Sequence, residues 1–345
     1  MKKRFYSYFL SLKLLFDYKT ETFTILFLSV ISATAGGLSI GLLIPILEAD
    51  SRPIFEDTPF KYLDDFIKIY SGNNFNDRVL SVSVLIILLS SIELIMSLLN
   101  GSISSKTETK IRKDFTYKSL EKLENIDYSV FRNQTSGKLF TYIIVDPNVV
   151  GRIAKKIFIT FQPLILLIIY LIVMYAVSPL MTVLSILFFV LIAIISTSRI
   201  SKNIANSQKV IANDLFKINS EVQETLDNFK NIVSHGILKE QIKRLHLLFE
   251  DFFKVNYKLQ RDSMFLIPVN NFVNSFGIAT LLIAGTFVFR DQDNNWTALL
   301  IPFLILLFKL LPAISQVNSL RVYIESNFVY IERIKNFLSL KHLLI

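Results

Sequence analysis

The chain predicts an all-α membrane protein, six transmembrane helices extended into water by two long helical loops on one side. Three observations lead there. Hydrophobic residues make up 52% of 345 residues and the mean hydropathy is +0.48, too apolar for an ordinary soluble domain. Six windows meet the requirement of about 20 mainly apolar residues per helical crossing. Finally, residues 101–156 and 200–263 are rich in Lys, Arg, Glu and Asp, yet each lies between two of those windows.

In chain order, Phe5–Phe16 alternates aromatic and aliphatic residues behind Lys2, Lys3 and Arg4. This predicts a short amphipathic helix at the membrane surface, within an elbow over residues 1–22. The six spans fall near Phe23–Leu47, Val79–Asn100, Ile157–Val177, Pro179–Ser198, Met264–Phe289 and Thr297–Val317. They and their stalks form one unit, 23–317. The first is long and no small-residue cleavage site follows it, so it reads as a retained span. Its Ser29, Ser32, Gly36 and Ser39, with Gly37 and Gly41 in GxxxG register, predict close helix contact. The loop Glu48–Arg78 carries seven acidic residues and reads as a solvated cap. Around Ser178 and Pro179 there is room only for a tight hairpin, and Arg290–Trp296 is an equally short loop with Trp296 suited to the interface.

The two charged insertions have helical apolar spacing: Ile111, Phe115, Leu120, Leu123 and Ile126 in the first, Val210, Leu215, Ile218, Val222, Leu226 and Phe229 in the second. Leu245, Leu248, Phe252 and Val255 continue it on the way back. Each insertion reads as a span continuing outward, a turn and a returning helix, with a reach of roughly 40 Å at 1.5 Å per residue. Of 37 Lys and Arg, 31 fall in the N-terminal segment, the insertions and the tail, and five in the opposite loops. That asymmetry places both termini and both insertions in the cytoplasm. It also accounts for most of the net charge of +9, so nucleic acid is not an expected partner. With no cysteine and only His235, His246 and His342, without ligand spacing, no metal site is expected.

Polar residues inside the spans are the candidate ligand contacts. Ser83, Ser90, Glu93, Ser97 and Asn100 are spaced seven, three, four and three apart and form one stripe on a helix. Asn270, Asn274 and Gly277 share a face of the fifth span; Lys309, Ala313 and Gln316 share one of the sixth, beside the helix-kinking Pro312. A charge at mid-bilayer costs at least about 2.5–3.5 kcal/mol, so Glu93 and Lys309 need partners. Either Glu93, Ser97, Asn270, Asn274, Lys309 and Gln316 line a translocation cavity, or the charges snorkel to water and the amides join helices.

The chain also resembles the transmembrane domain of an ABC exporter, the six-helix half-transporter fold. In the first insertion the resemblance rests on Leu123, Asp127–Phe131, Gly137 and Asp146, the aspartate nine residues after the glycine. In the second it rests on Glu221–Gly236, and after the last span on Tyr330-Ile331-Glu332-Arg333-Ile334. Tyr142 departs from the pattern, where many relatives carry arginine. The resemblance implies coupling of Tyr128, Phe131, Asn133, Gly137, Asp146, Leu215 and Glu224 to a nucleotide-binding domain, with the second coupling helix near Asp214–Val222. It further implies a homodimer, a membrane-embedded translocation path for export or for flipping lipid or glycolipid, and a bacterial inner membrane.

The chain itself carries no recognisable phosphate-binding loop. Gly137-Lys138 is followed by Leu139, with Arg132 where the leading glycine belongs. Ile143-Ile144-Val145-Asp146 imitates a strand ending in a magnesium-binding aspartate, but Pro147 follows it, and a buried helix face is the expected reading. The tail, 318–345, has room for an extension toward an ATPase cassette but not for the cassette. The cassette is then expected on a separate chain or lost; no cofactor is expected in this chain, ATP and Mg being bound by a partner, and no catalysis. The competing class is an ATP-independent six-span carrier or a membrane scaffold, although matching broken helices in two halves, which a carrier would show, are absent from the pattern.

Overall fold

In the computed structural model, residues 16–42, 75–132, 134–177, 179–265 and 296–340 are described, with single positions between 268 and 283. Apart from one bridge residue and short turns, these residues are helical. The elements are α1 (Lys19–Gly41), α2 (Phe75–Glu124), α3 (Tyr128–Arg132), α4 (Ser136–Phe140), a wide π turn (Thr141–Val145) and α5 (Asp146–Val177). Then come α6 (Pro179–Asp227), α7 (Phe229–Ser234), α8 (Leu238–Met264) and α9 (Trp296–Leu338). Four described stretches are long and apolar enough to cross a membrane: Lys19–Gly41, Val79–Glu124, Ser136–Ala176 and Phe303–Leu338. The fourth expected span is helical within α6, although side chains 188–201 are not described, and most of the fifth lies outside the described residues. The amphipathic segment Phe5–Phe16 and the acidic loop are outside them too, apart from Phe16 and the loop's last residues.

Helix length shows how the spans become stalks. With 50 residues in α2 and 49 in α6, each runs roughly 75 Å, more than twice the bilayer's apolar thickness of about 30 Å. The surplus projects as stalks, both at one end of the bundle. The α5–α6 hairpin at the other end leaves one residue between Val177 and Pro179, as expected. Within the span region of α2, Ile87, Leu94 and Leu98 are exposed, the arrangement of a lipid-facing side. Toward the stalks a water-excluded core forms instead: Tyr18, Ile25, Ile111, Val150, Ile153, Phe158, Ala212, Tyr330 and Ile334 cluster there, contributed by α1, α2, α5, α6 and α9.

Small residues set the close contacts. A Cβ on Gly36 would lie 2.8 Å from the Glu93 carboxyl carbon, and one on Gly37 2.9 Å from Ile169. These two glycines bring α1 against both α2 and α5, whereas Gly41 meets nothing within 4 Å. Asn100 Nδ2 donates to Ser29 Oγ at 2.8 Å and Ser32 Oγ to the Glu93 carbonyl at 3.3 Å. The expected small-residue face is thus a helix contact. The start of α1 is held near the stalk base, where the Tyr18 hydroxyl donates to Asp114 Oδ2 at 2.8 Å and Lys110 pairs with Glu21 at 2.5 Å.

Candidate functional site

Both stalks end in short helices, and the tips differ in construction. The first tip is α3, with Tyr128 and Phe131 exposed; Asn133 lies outside the described residues. The second is not at Asp214–Val222, where the resemblance to ABC exporters puts it. Asp214–Val222 is unbroken helix, and the chain turns only after Asp227, where α7 forms the tip. Leu215 is half-buried inside α6 and Glu224 is exposed near its end. The stop signal lies further on: Gly236 adopts φ +71°, Ile237 N–H reaches the Ile232 carbonyl at 3.1 Å and Gly236 N–H that of Val233 at 3.0 Å. That is the left-handed glycine closure of a helix C-terminus; helical spacing alone, which continues through Leu226 and Phe229, conceals it.

The two stalks touch at Gly137. A Cβ there would lie 2.5 Å from Ser220 Cα and N and 2.6 Å from the Asn219 carbonyl carbon, so only glycine lets α4 lie against the α6 backbone. Thr135 and Ser220 hydroxyls hydrogen-bond at 2.9 Å beside it.

One turn beyond, the chain enters the π turn. Pro147 lacks the N–H that the Ile143 carbonyl would accept in an α-helix, and the Thr116 hydroxyl of α2 donates to that carbonyl at 3.2 Å instead. The Ile143–Asp146 run is therefore helical, though not fully buried: Ile144 is exposed. Asp146, which is buried, does not serve its own leg. Arg333 of α9 donates to its Oδ1 at 2.6 Å and to the Ala212 carbonyl of α6 at 3.0 Å. The guanidinium lies 5.5 Å from the Phe216 ring centre and 4.8 Å from that of Tyr330. Tyr142, the departure from the expected arginine, stacks on Phe337 at 4.6 Å. Burial pushes the Asp146 carboxyl up to about 7, with the Arg333 guanidinium pulling the other way; Oδ2 has no partner, so desolvation prevails. Three elements from separate parts of the sequence are joined at this point. Arg333 was legible as part of the tail motif; Phe216 and Phe337 carried no distinguishing signal.

The second feature is a cavity of about 460 Å³ within the spans, between α1, α2, α5 and α9. Glu93, Ser97, Lys309 and Gln316 line it as the sequence pattern expected, and Tyr170 and Gln162 join them. Pro163 and Pro312 line it as well; each leaves the carbonyl four residues earlier without its helical donor. Glu93 and Lys309 face this space, but no ion pair within 4.0 Å joins them among the described residues. Ser83 is exposed and bonds its own helix, whereas Asn100 is buried and bonds Ser29, so of the stripe's two ends only Asn100 joins helices, and its middle faces the cavity. Asn270 and Asn274 are outside the described residues.

Spans prolonged into paired stalks, with short helices at the tips and a polar cavity between the spans, define a polytopic transport module. The family described as the ABC transporter transmembrane region matches residues 59–310, well over half the chain. The chain belongs to that family. Such a domain is the permease part of a transporter, an integral membrane component that works with nucleotide-binding domains and in pairs. A comparison with curated proteins yields no match.

Proposed function

We propose that this chain is the membrane-spanning half of an ATP-driven exporter or lipid/glycolipid flippase, paired as a homodimer. The observation that carries the reading is the stalk junction. Tip helices α3 and α7 are positioned to receive a push, and Gly137–Ser220 with Asp146–Arg333 ties both stalks to α9, which lines the cavity. A displacement at either tip then moves α9 and changes the space around Lys309 and Gln316. ATP and Mg bind to a partner nucleotide-binding domain, and no substrate chemistry is performed by this chain. The excess of Lys and Arg in the stalks and terminal segments supports a cytoplasmic stalk end, in a bacterial inner membrane. Phe131, Tyr128 and Glu224 at the tips are the contacts offered to the cassette, and Glu93 and Lys309 are the charges offered to the substrate.

The native chain has no cysteine, which makes site-directed cross-linking clean. Cysteines replacing Tyr128 and Lys230, one at a time, are expected to cross-link to an ATPase subunit in native membranes, while the purified chain alone hydrolyses no ATP. Labelling of those cysteines by an impermeant maleimide applied outside intact cells would overturn the reading, as would cross-links only to proteins without a nucleotide site.

A further inference from the structure

A second cavity, of about 380 Å³ and partly open to solvent, lies where the spans give way to the stalks, lined by α5, α6, α8 and α9. Arg152, Gln208, Leu259, Ser263, Asn327 and Tyr330 are among its lining residues, and no carboxylate is. The acids around it are already engaged. Glu108 takes Lys155 at 3.1 Å, Asp262 takes Arg261 at 3.1 Å and Asp146 takes Arg333. Arg152 itself forms no ion pair within 4.0 Å among the described residues. Its charge opposes the upward push of burial on the Tyr323 hydroxyl, to which Glu108 adds, and contributes less than Arg333 to the same opposition at Tyr330, where Asp146 adds to the push. On the α9 wall Asn327 Nδ2 donates to the Tyr323 carbonyl and to Ser326 Oγ, both at 3.0 Å, whereas across the cavity Gln208 Nε2 reaches Asn327 Oδ1 only at 3.4 Å.

A guanidinium exposed to solvent and free of any ion pair among the described residues, amide and hydroxyl donors and an apolar flank of Ile204, Leu259 and Val322 suit an oxyanion attached to an apolar body. We propose that this cavity binds a phosphate group, as carried by the head of an anionic lipid, and so joins the four helices at the base of the stalks. Phosphate is the shared chemistry; its source is a bilayer lipid or a soluble anion. Occupancy would favour whichever arrangement of α6 and α8 against α5 and α9 keeps the donors converged. The site is separate from the Glu93–Lys309 cavity and does not depend on transport direction or on an ATPase partner.

The test uses the full chain in nanodiscs of phosphatidylcholine, titrated either with phosphatidylglycerol or with inorganic phosphate, and read by native mass spectrometry and thermal shift. The expected result is one retained phosphatidylglycerol per chain. Retention falls at least tenfold in Arg152→Gln, recovers largely in Arg152→Lys and is unchanged in Lys254→Gln, an exposed cation elsewhere on α8. An Arg152-dependent shift with inorganic phosphate alone supports the site and assigns it to a soluble anion. Should Arg152→Gln fail to fold, Gln208→Leu removes an amide donor without touching charge and is expected to weaken retention several-fold. Wild-type retention and wild-type thermal response to both probes in a folded Arg152→Gln, or in Gln208→Leu where Arg152→Gln fails to fold, overturn the proposal.

Discussion

Asp146 with Arg333 and Glu93 with Lys309 are acid–base combinations built in opposite ways. Asp146 and Arg333 meet at 2.6 Å in a water-excluded core, with the carboxylate fully buried. Glu93 and Lys309 face a 460 Å³ space and form no close pair. A closed pair transmits position, because neither partner can move without leaving a buried charge behind. An open pair is available to something that enters. The surrounding packing differs in the same sense. The stalk core gains from removing apolar surface from water, whereas span contacts, lacking that drive in lipid, rest on small residues such as Gly36 and on bonds such as Asn100–Ser29.

Breaking the closed combination should have the largest effect. Arg333→Ala at pH 8 is expected to destabilise the stalk junction by about 3 kcal/mol, since removing one partner leaves a buried carboxylate uncompensated. At pH 6 the loss should be smaller, because Asp146 can then take a proton. Hydrogen exchange of α5 and α9 at the two pH values checks this. Equal losses at both would refute the desolvated-carboxylate account.

Gly137→Val comes next. With Ser220 backbone 2.5 Å from a new Cβ, overpacking should cost about 1–3 kcal/mol and separate the stalks. Double electron–electron resonance between labels on α4 and α6 would report the separation.

The wild-type protein should itself show a pH dependence. Asp146 has a folded pKa of about 7, above an ordinary carboxyl. Its contribution to stability is therefore fully present below about pH 4 and is lost as pH rises through 7. Asp146→Asn should flatten the thermal-melting profile between pH 5 and 8; an unflattened profile would assign the dependence to another group.

The smallest stability effect is expected at the open combination. Glu93→Gln should change melting little, yet alter the substrate response of the cassette-coupled ATPase or transport in proteoliposomes. Unchanged transport together with unchanged stability would remove Glu93 from the mechanism.

Much of the architecture is legible in the sequence because each signal is local. Run length identifies spans, helical spacing identifies stalks, and the Ser90–Glu93–Ser97 stripe identifies a face that avoids lipid. The second tip lies beyond Asp214–Val222, where the resemblance puts it, because the helix runs on to Asp227. Its local stop signal, a left-handed glycine at Gly236, follows the tip. The stripe also did not reveal that Asn100 serves packing while Glu93 faces a cavity. Both sit on one helix face and α1 lies opposite both, but it offers the Ser29 hydroxyl to Asn100 and only Gly36, with no side chain, to the Glu93 carboxyl.

Sequence alone determined an all-helical membrane protein with paired stalks and buried charges in its spans, since composition and periodicity are properties of single segments. Tertiary structure decided which charges close and which stay open. Asp146 finds its partner 187 residues away, and no periodicity within either helix encodes the rotation that brings Arg333 to it or leaves Lys309 apart from Glu93.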